Sequence, residues 1–205
     1  MSILGIYGGT FSPPHIGHIY AASAFLEQIR PDKLLIMPAY LSPNKSSEST
    51  VSAVDRYNMA VLAFSDLRQY GKSLFVSDWE IKRPEKSYTY KTIEHFEKDA
   101  DEIYLVIGTD MLLTFDKWKN VDRICSSARL AYVSRTDDDS AANEKIRALQ
   151  ANYGADVVRV TVPPLPCDST HIREVLSRGG RPYGVTEKVY EYVVRNRLYM
   201  NDGIN

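Results

Sequence analysis

The feature that constrains this chain most is a rhythm. Short apolar runs rich in β-forming residues alternate with segments of helical period along most of its length. The runs cover residues 2–7, 33–38, 74–81, 102–107, 130–135 and 156–162. Between the first two, Ile19, Ala22, Leu26 and Ile29 recur at helical spacing and give one apolar face. A second helical pattern sets Val54, Tyr57, Val61 and Phe64 on one face, with Ser52 and Asp55 placed as a capping box. Further helical patterns run over 89–98, 142–153, 170–177 and 187–198. Such alternation predicts an α/β class with a doubly wound, mostly parallel sheet. Right-handed crossovers then put the ligand site beyond the carboxyl ends of the strands. No shift in composition marks a boundary, so residues 1–205 read as a single domain, with 182–205 as a small helical C-terminal appendage.

Charge and cysteine usage narrow the class of function. The formal net charge is -1, whereas a non-specific nucleic-acid binder needs a surplus of Lys and Arg to displace phosphate counterions. Any phosphate site must therefore be local, and no nucleic-acid partner is expected. No apolar run approaches the roughly 20 residues that span a bilayer, and the start lacks a basic segment followed by an apolar one. The reading is a cytoplasmic protein with no membrane partner. Cys125 and Cys167 lie far apart and form no CxxC pair, which predicts free thiols in a reducing compartment. The polar stretch 42–52 and the acidic run 137–139 read as surface loops.

Directly after the first run come Gly8, Gly9, Thr10, Phe11, Ser12, Pro13, Pro14, His15, Ile16, Gly17 and His18, leading into the first helix. Two glycines let backbone approach a ligand closely, and a helix start adds unpaired N–H groups and a positive dipole end. This predicts an anion site that is neither a Walker loop nor a GxGxxG dinucleotide turn. His15 and His18 can both face it, each offering an N–H donor to phosphoryl oxygens. Taken alone, the pair also fits a helix cap plus a surface group. A metal pair lacks an adjacent Cys, Asp or Glu to complete a ligand set, so no protein metal site is expected. Near the other end, Asp168, Ser169, Thr170, His171 and Arg173 open another helix after a proline-rich turn. Ser169 and Thr170 can cap it and bond phosphate, and Arg173 can grip a phosphate in bidentate fashion.

The first turn resembles the HxGH nucleotidyltransferase superfamily, whose nicotinate mononucleotide adenylyltransferases carry GGTFDPPHxGH; ten of eleven positions match, Ser12 standing where the family has Asp. The second turn is similar to the family's ISSTxIR, with Cys167 and Asp168 in place of Ile and Ser. Pro38 with Asn44 and Lys45 resembles MPxxxPPHK, and Gly108 with Asp110 matches IGxD. The resemblance implies a Rossmann-like nucleotidyltransferase fold. It implies an ATP site over Gly8, Gly9, Thr10, Phe11, His15, His18, Gly108, Asp110, Ser169, Thr170 and Arg173. His15, His18, Lys45 and Arg173 become the catalytic candidates, with Mg²⁺ carried by the ATP phosphates.

Which acceptor is joined to ATP is left open by the first motif, because pantetheine-phosphate adenylyltransferases and small cytidylyltransferases share it. Ser87, Tyr88 and Thr89 look like the SYT segment of the nicotinate branch, and residues 115–118 resemble its stretch ending in Trp. That resemblance implies Thr89, Tyr88, Trp118, Asn44 and Lys45 as the acceptor side. Trp118 would stack on a pyridinium ring, and Thr89 with nearby backbone N–H groups would receive the carboxylate. The expected function is transfer of AMP from ATP to nicotinate mononucleotide, releasing pyrophosphate in NAD biosynthesis. Alternatives are the same chemistry on phosphopantetheine, or a nucleotide-binding sensor that has lost turnover. Homo-oligomerisation is left open.

Overall fold

The computed structural model describes residues 1–43, 51–70, 73–135 and 139–200. Among these, six strands form one all-parallel sheet in the order β3-β2-β1-β4-β5-β6. The strands are β1 (Ile3–Gly9), β2 (Lys33–Pro38), β3 (Ser73–Val76), β4 (Glu102–Gly108), β5 (Arg129–Ser134) and β6 (Val157–Thr161). Helices α1 (Ile16–Gln28), α2 (Ala53–Ala63), α3 (Thr89–Phe96), α4 (Thr109–Leu113), α5 (Val121–Ser127), α6 (Ser140–Tyr153), α7 (Ser169–Ser177) and α8 (Glu187–Arg195) complete the chain. The strand order reverses between β1 and β4, which pair in parallel with Tyr7 opposite Val106. A doubly wound sheet opens its ligand crevice at that reversal.

Buried strands on both faces explain the near-continuous apolar runs. Leu34, Ile36, Tyr104 and Val106 point to a core shared with α1, α2, α7 and α8. Leu35, Met37, Leu105 and Ile107 point the opposite way, to a core shared with α3, α5 and α6. Val189 and Val193 of α8 are fully buried in the first core, so the C-terminal helix contributes to it directly.

Three local expectations are corrected. The third run was expected over 74–81, but the strand ends at Val76, and Lys82 N donates to Asp78 O in a turn that leads to Pro84. The apolar face of α2 is not the one formed by Val54, Tyr57 and Val61; of the four expected residues only Phe64, at its C-cap, is buried. Val54 is 57% exposed, and the buried face is Arg56, Met59, Ala60 and Ala63. Burial of an arginine inverts the pattern there. Ser52 does cap α2, accepting from Asp55 N at 3.0 Å. In the acidic run, Asp139 is buried rather than on a surface loop. It accepts from Ser134 Oγ at 2.8 Å and pairs with Arg159 at 2.7 Å. Both cysteines are free, as expected, and both are buried.

Candidate active site

The turn between β1 and α1 is shaped by its own side chains. Phe11 adopts a left-handed φ of 49°, which turns its ring inward. The ring is buried, edge-on to Tyr7, Phe64 and His18. Phe11 therefore supports His18 from behind, and its side chain is not available to a ligand.

The two histidines cap the helix reciprocally. His15 Nδ1 accepts from Gly17 N and His18 Nδ1 accepts from His15 N, each at 3.1 Å. An imidazole that accepts at Nδ1 carries its proton on Nε2 when neutral, so both rings are held as Nε2–H donors. Their centroids are 3.8 Å apart. Burial, then the charge of Arg135, lowers the His15 pKa to about 4, with Asp168 opposing. His15 is thus neutral at pH 7. Gly17 must be glycine, since a Cβ there would come within 2.9 Å of the His15 ring.

The expectation of unpaired N–H groups at the start of α1 is corrected. The amides of His15 and Gly17 are taken by the two rings, and Ile16 N donates to Gly184 O at 2.8 Å. The positive end of α1 falls on the imidazoles instead: two backbone donors polarise the two Nδ1 acceptors.

The second turn docks directly onto the first. Arg173 Nη1 donates to Ser12 O at 2.9 Å, and Ser169 Oγ donates to Pro13 O at 3.0 Å. Arg173 Nη2 donates to Thr170 Oγ1 at 3.1 Å. Helix α7 is capped by Asp168, which accepts from His171 N at 2.9 Å, and not by Ser169 or Thr170. Backbone N–H bonds, that of His171 first, hold the Asp168 carboxyl below the usual range. Its charge is spent on the cap.

A cavity of about 360 Å³ opens beside these turns at the β1/β4 reversal, lined among others by Gly8, Gly9, Thr10, Gly108, Tyr88, Thr89 and Trp118. Tyr88 occupies the N-cap of α3 with no side-chain cap bond, so Thr89 starts that helix at the cavity wall. Trp118 packs on Phe115 at 4.9 Å, and its Nε1 is buried with no partner among the described residues. Asp110 lies in the first turn of α4, folded so closely over Gly108 that a Cβ at 108 would sit 2.6 Å from its carboxylate. Asn44 and Lys45 lie outside the described residues.

Sequence reasoning missed three contributors. Arg56 is only 2% exposed and donates to Thr10 O, Ala39 O and Tyr40 O at 2.9, 2.6 and 2.7 Å. Tyr199 shares a hydrogen bond of 3.0 Å with Ser12 Oγ. Arg135, at the end of β5, puts a guanidinium 3.3 Å from where a Gly17 Cβ would stand. Arg135 is the last residue of the predicted fifth run, a strand-end position that merited suspicion; Arg56 and Tyr199 gave no local signal.

Residues 6–175 match the model of the family described as Cytidylyltransferase-like. A protein of Clostridium tetani named probable nicotinate-nucleotide adenylyltransferase is 34% identical, covering 95% of this chain and 97% of its own. One of the same name from Caldicellulosiruptor bescii is 31% identical over 96% of this chain and 98% of its own. Among solved structures, Plasmodium falciparum nicotinic acid mononucleotide adenylyltransferase complexed with NaAD superposes with a TM-score of 0.73 at 16% identity, covering 97% of this chain and 98% of that one.

Proposed function

The chain belongs to the cytidylyltransferase-like family, and we propose that its pocket joins ATP to nicotinate mononucleotide. It is a nicotinate-nucleotide adenylyltransferase, giving nicotinate adenine dinucleotide and pyrophosphate. One observation carries this reading. The HxGH turn, whose Gly8, Gly9 and Thr10 line the cavity at the strand-order reversal, is bonded to the turn bearing Arg173 through Ser12 O and Pro13 O.

In the proposed reaction an oxygen of the acceptor's 5′-phosphate attacks the α-phosphorus of ATP in line. The new P–O bond forms as the bond to the β-phosphate oxygen breaks, and pyrophosphate leaves with that electron pair. No covalent enzyme intermediate is needed, so catalysis is positioning plus charge neutralisation. His18 donates Nε2–H to the α-phosphate as charge builds there. Neutral His15, with Lys45 and Arg173, holds the leaving pyrophosphate. Asp110 accepts from the adenosine ribose, while Gly8, Gly9, Thr10, Gly108, Ser169 and Thr170 shape the nucleotide cleft. Trp118, Tyr88, Thr89, Asn44 and Lys45 form the acceptor side.

Among the described residues no three His, Cys, Asp or Glu side chains converge as a ligand set. In this reading Mg²⁺ would be brought by the triphosphate, whose oxygens suit a hard cation, with water completing its shell. When bound it supplies charge neutralisation on the leaving group. No described helix is long and apolar enough to cross a membrane; a cytoplasmic setting and a single domain with 182–205 as its appendage complete our reading.

Purified protein with Mg-ATP and a panel of mononucleotide acceptors, products identified by mass, tests this. Nicotinate adenine dinucleotide with stoichiometric pyrophosphate is expected. ATP binding without turnover on any acceptor would contradict it.

A further inference from the structure

The charge lining the cavity is unevenly usable. Lys117, Lys119 and Glu80 carry it. Glu80 is 8% exposed, and its carboxylate accepts from Thr92 Oγ1 at 2.6 Å and from the Ser87 hydroxyl. The Ser87 hydroxyl in turn accepts from Tyr40 N at 2.9 Å. Glu80 thus ties the cavity wall together and is committed to it.

Lys119 is different. It is exposed, and among the described residues no carboxylate pairs with it. Its Nζ lies 4.7 Å from the centroid of the Tyr88 ring. The side chain therefore bridges two rim segments, leaving the chain next to Trp118 and ending over Tyr88, one residue before Thr89. Contact with the ring face steadies the ammonium without neutralising it.

We propose that Lys119 is a specificity-determining residue: its ammonium favours an acceptor whose ring bears a carboxylate over the same acceptor bearing a carboxamide. The inference rests on the nicotinate reading above and adds the group that sets the choice. The two acceptors share the pyridinium ring, the ribose and the 5′-phosphate. Any effect of Lys119 on those parts is common to both and cancels in their ratio. Only the carboxylate differs, and an opposite charge at the cavity mouth acts on it alone. Because Lys119 meets solvent, screening limits the effect, and discrimination of about tenfold is expected from this one charge.

The test is kcat/KM for nicotinate and nicotinamide mononucleotides at saturating Mg-ATP, in the wild type, Lys119→Met and Lys119→Arg. Methionine keeps most of the stem and removes the charge; arginine keeps the charge. Lys119→Met should lower the nicotinate value about tenfold, move the nicotinamide value less than about twofold, and leave the KM for ATP unchanged. Lys119→Arg should restore most of the ratio. A ratio unchanged in Lys119→Met, or an equal loss on both acceptors, overturns the inference while leaving the function intact. A wild type with no turnover of nicotinate mononucleotide overturns the functional reading and this inference with it.

Discussion

Tyr199 and Ser12, 187 residues apart in sequence, share a buried hydrogen bond of 3.0 Å, and the Ser12 carbonyl is held at the same time by Arg173. Burial raises the Tyr199 pKa well above its ordinary value, so the phenol is always protonated. The chain end thereby fixes the residue that departs from the family's GGTFDPPHxGH pattern. An aspartate at 12 would offer the same phenol an acceptor, which makes the departure mild. Tyr199→Phe should leave Ser12 Oγ short of a partner, cost on the order of 1 to 2 kcal/mol, and lower kcat several-fold. Thermal unfolding with kinetics on the same samples checks this. Unchanged stability and rate would remove the pair from the site's support.

Arg56 is the second brace. It holds Thr10 of the first turn together with Ala39 and Tyr40 after β2. Burial lowers its pKa, and three carbonyls would lose their donor on truncation. Arg56→Met should cost about 2 to 4 kcal/mol and raise the KM for ATP. Lysine, without the planar fork, should recover only part of this. Urea unfolding midpoints of the three proteins give the comparison.

The pH dependence of stability follows from His15. Its folded pKa, about 4, lies below the ordinary 6.5, so between those values the unfolded chain binds a proton that the folded chain refuses. Stability from this group is complete above about pH 6.5 and declines as pH falls toward 4. The loss is at most on the order of 3 kcal/mol. His15→Asn retains a capping oxygen and should flatten that slope. Denaturation at pH 4.5 and pH 7 in both proteins measures it, and an equal slope in the variant would refute the assignment.

In the proposed function Trp118 acts on the acceptor side only. Trp118→Ala should raise the KM for nicotinate mononucleotide by roughly tenfold, the scale of a lost cation–π contact, with the KM for ATP within twofold. Equal losses for both substrates would contradict the stacking role.

Much of this site is legible in the sequence because its groups sit in contiguous turns at strand ends. Gly8 and Gly108 sit at the ends of β1 and β4, His15, His18 and Asp110 come in the turns and helix starts that follow, and Ser169 to Arg173 open one helix. The periodicity also locates β2 to the residue. Illegible is whatever depends on distant packing. Arg56 looks like the polar side of an amphipathic helix until three backbone carbonyls are placed around it. Tyr199 gives no sign that it reaches Ser12. The amides at the start of α1 look free until the two imidazoles fold back on them, and β3 is overread because Trp79 and Ile81 favour strands but enter a turn.

The central claim is that His18 donates from Nε2 to the α-phosphate as charge develops, its Nδ1 being held by the His15 amide. Single-turnover and steady-state kinetics of His18→Ala, with circular dichroism to verify the fold, test it most directly. The account predicts a kcat lower by on the order of 10²-fold, with the KM for ATP changed far less. An intact kcat in a folded His18→Ala protein would contradict it.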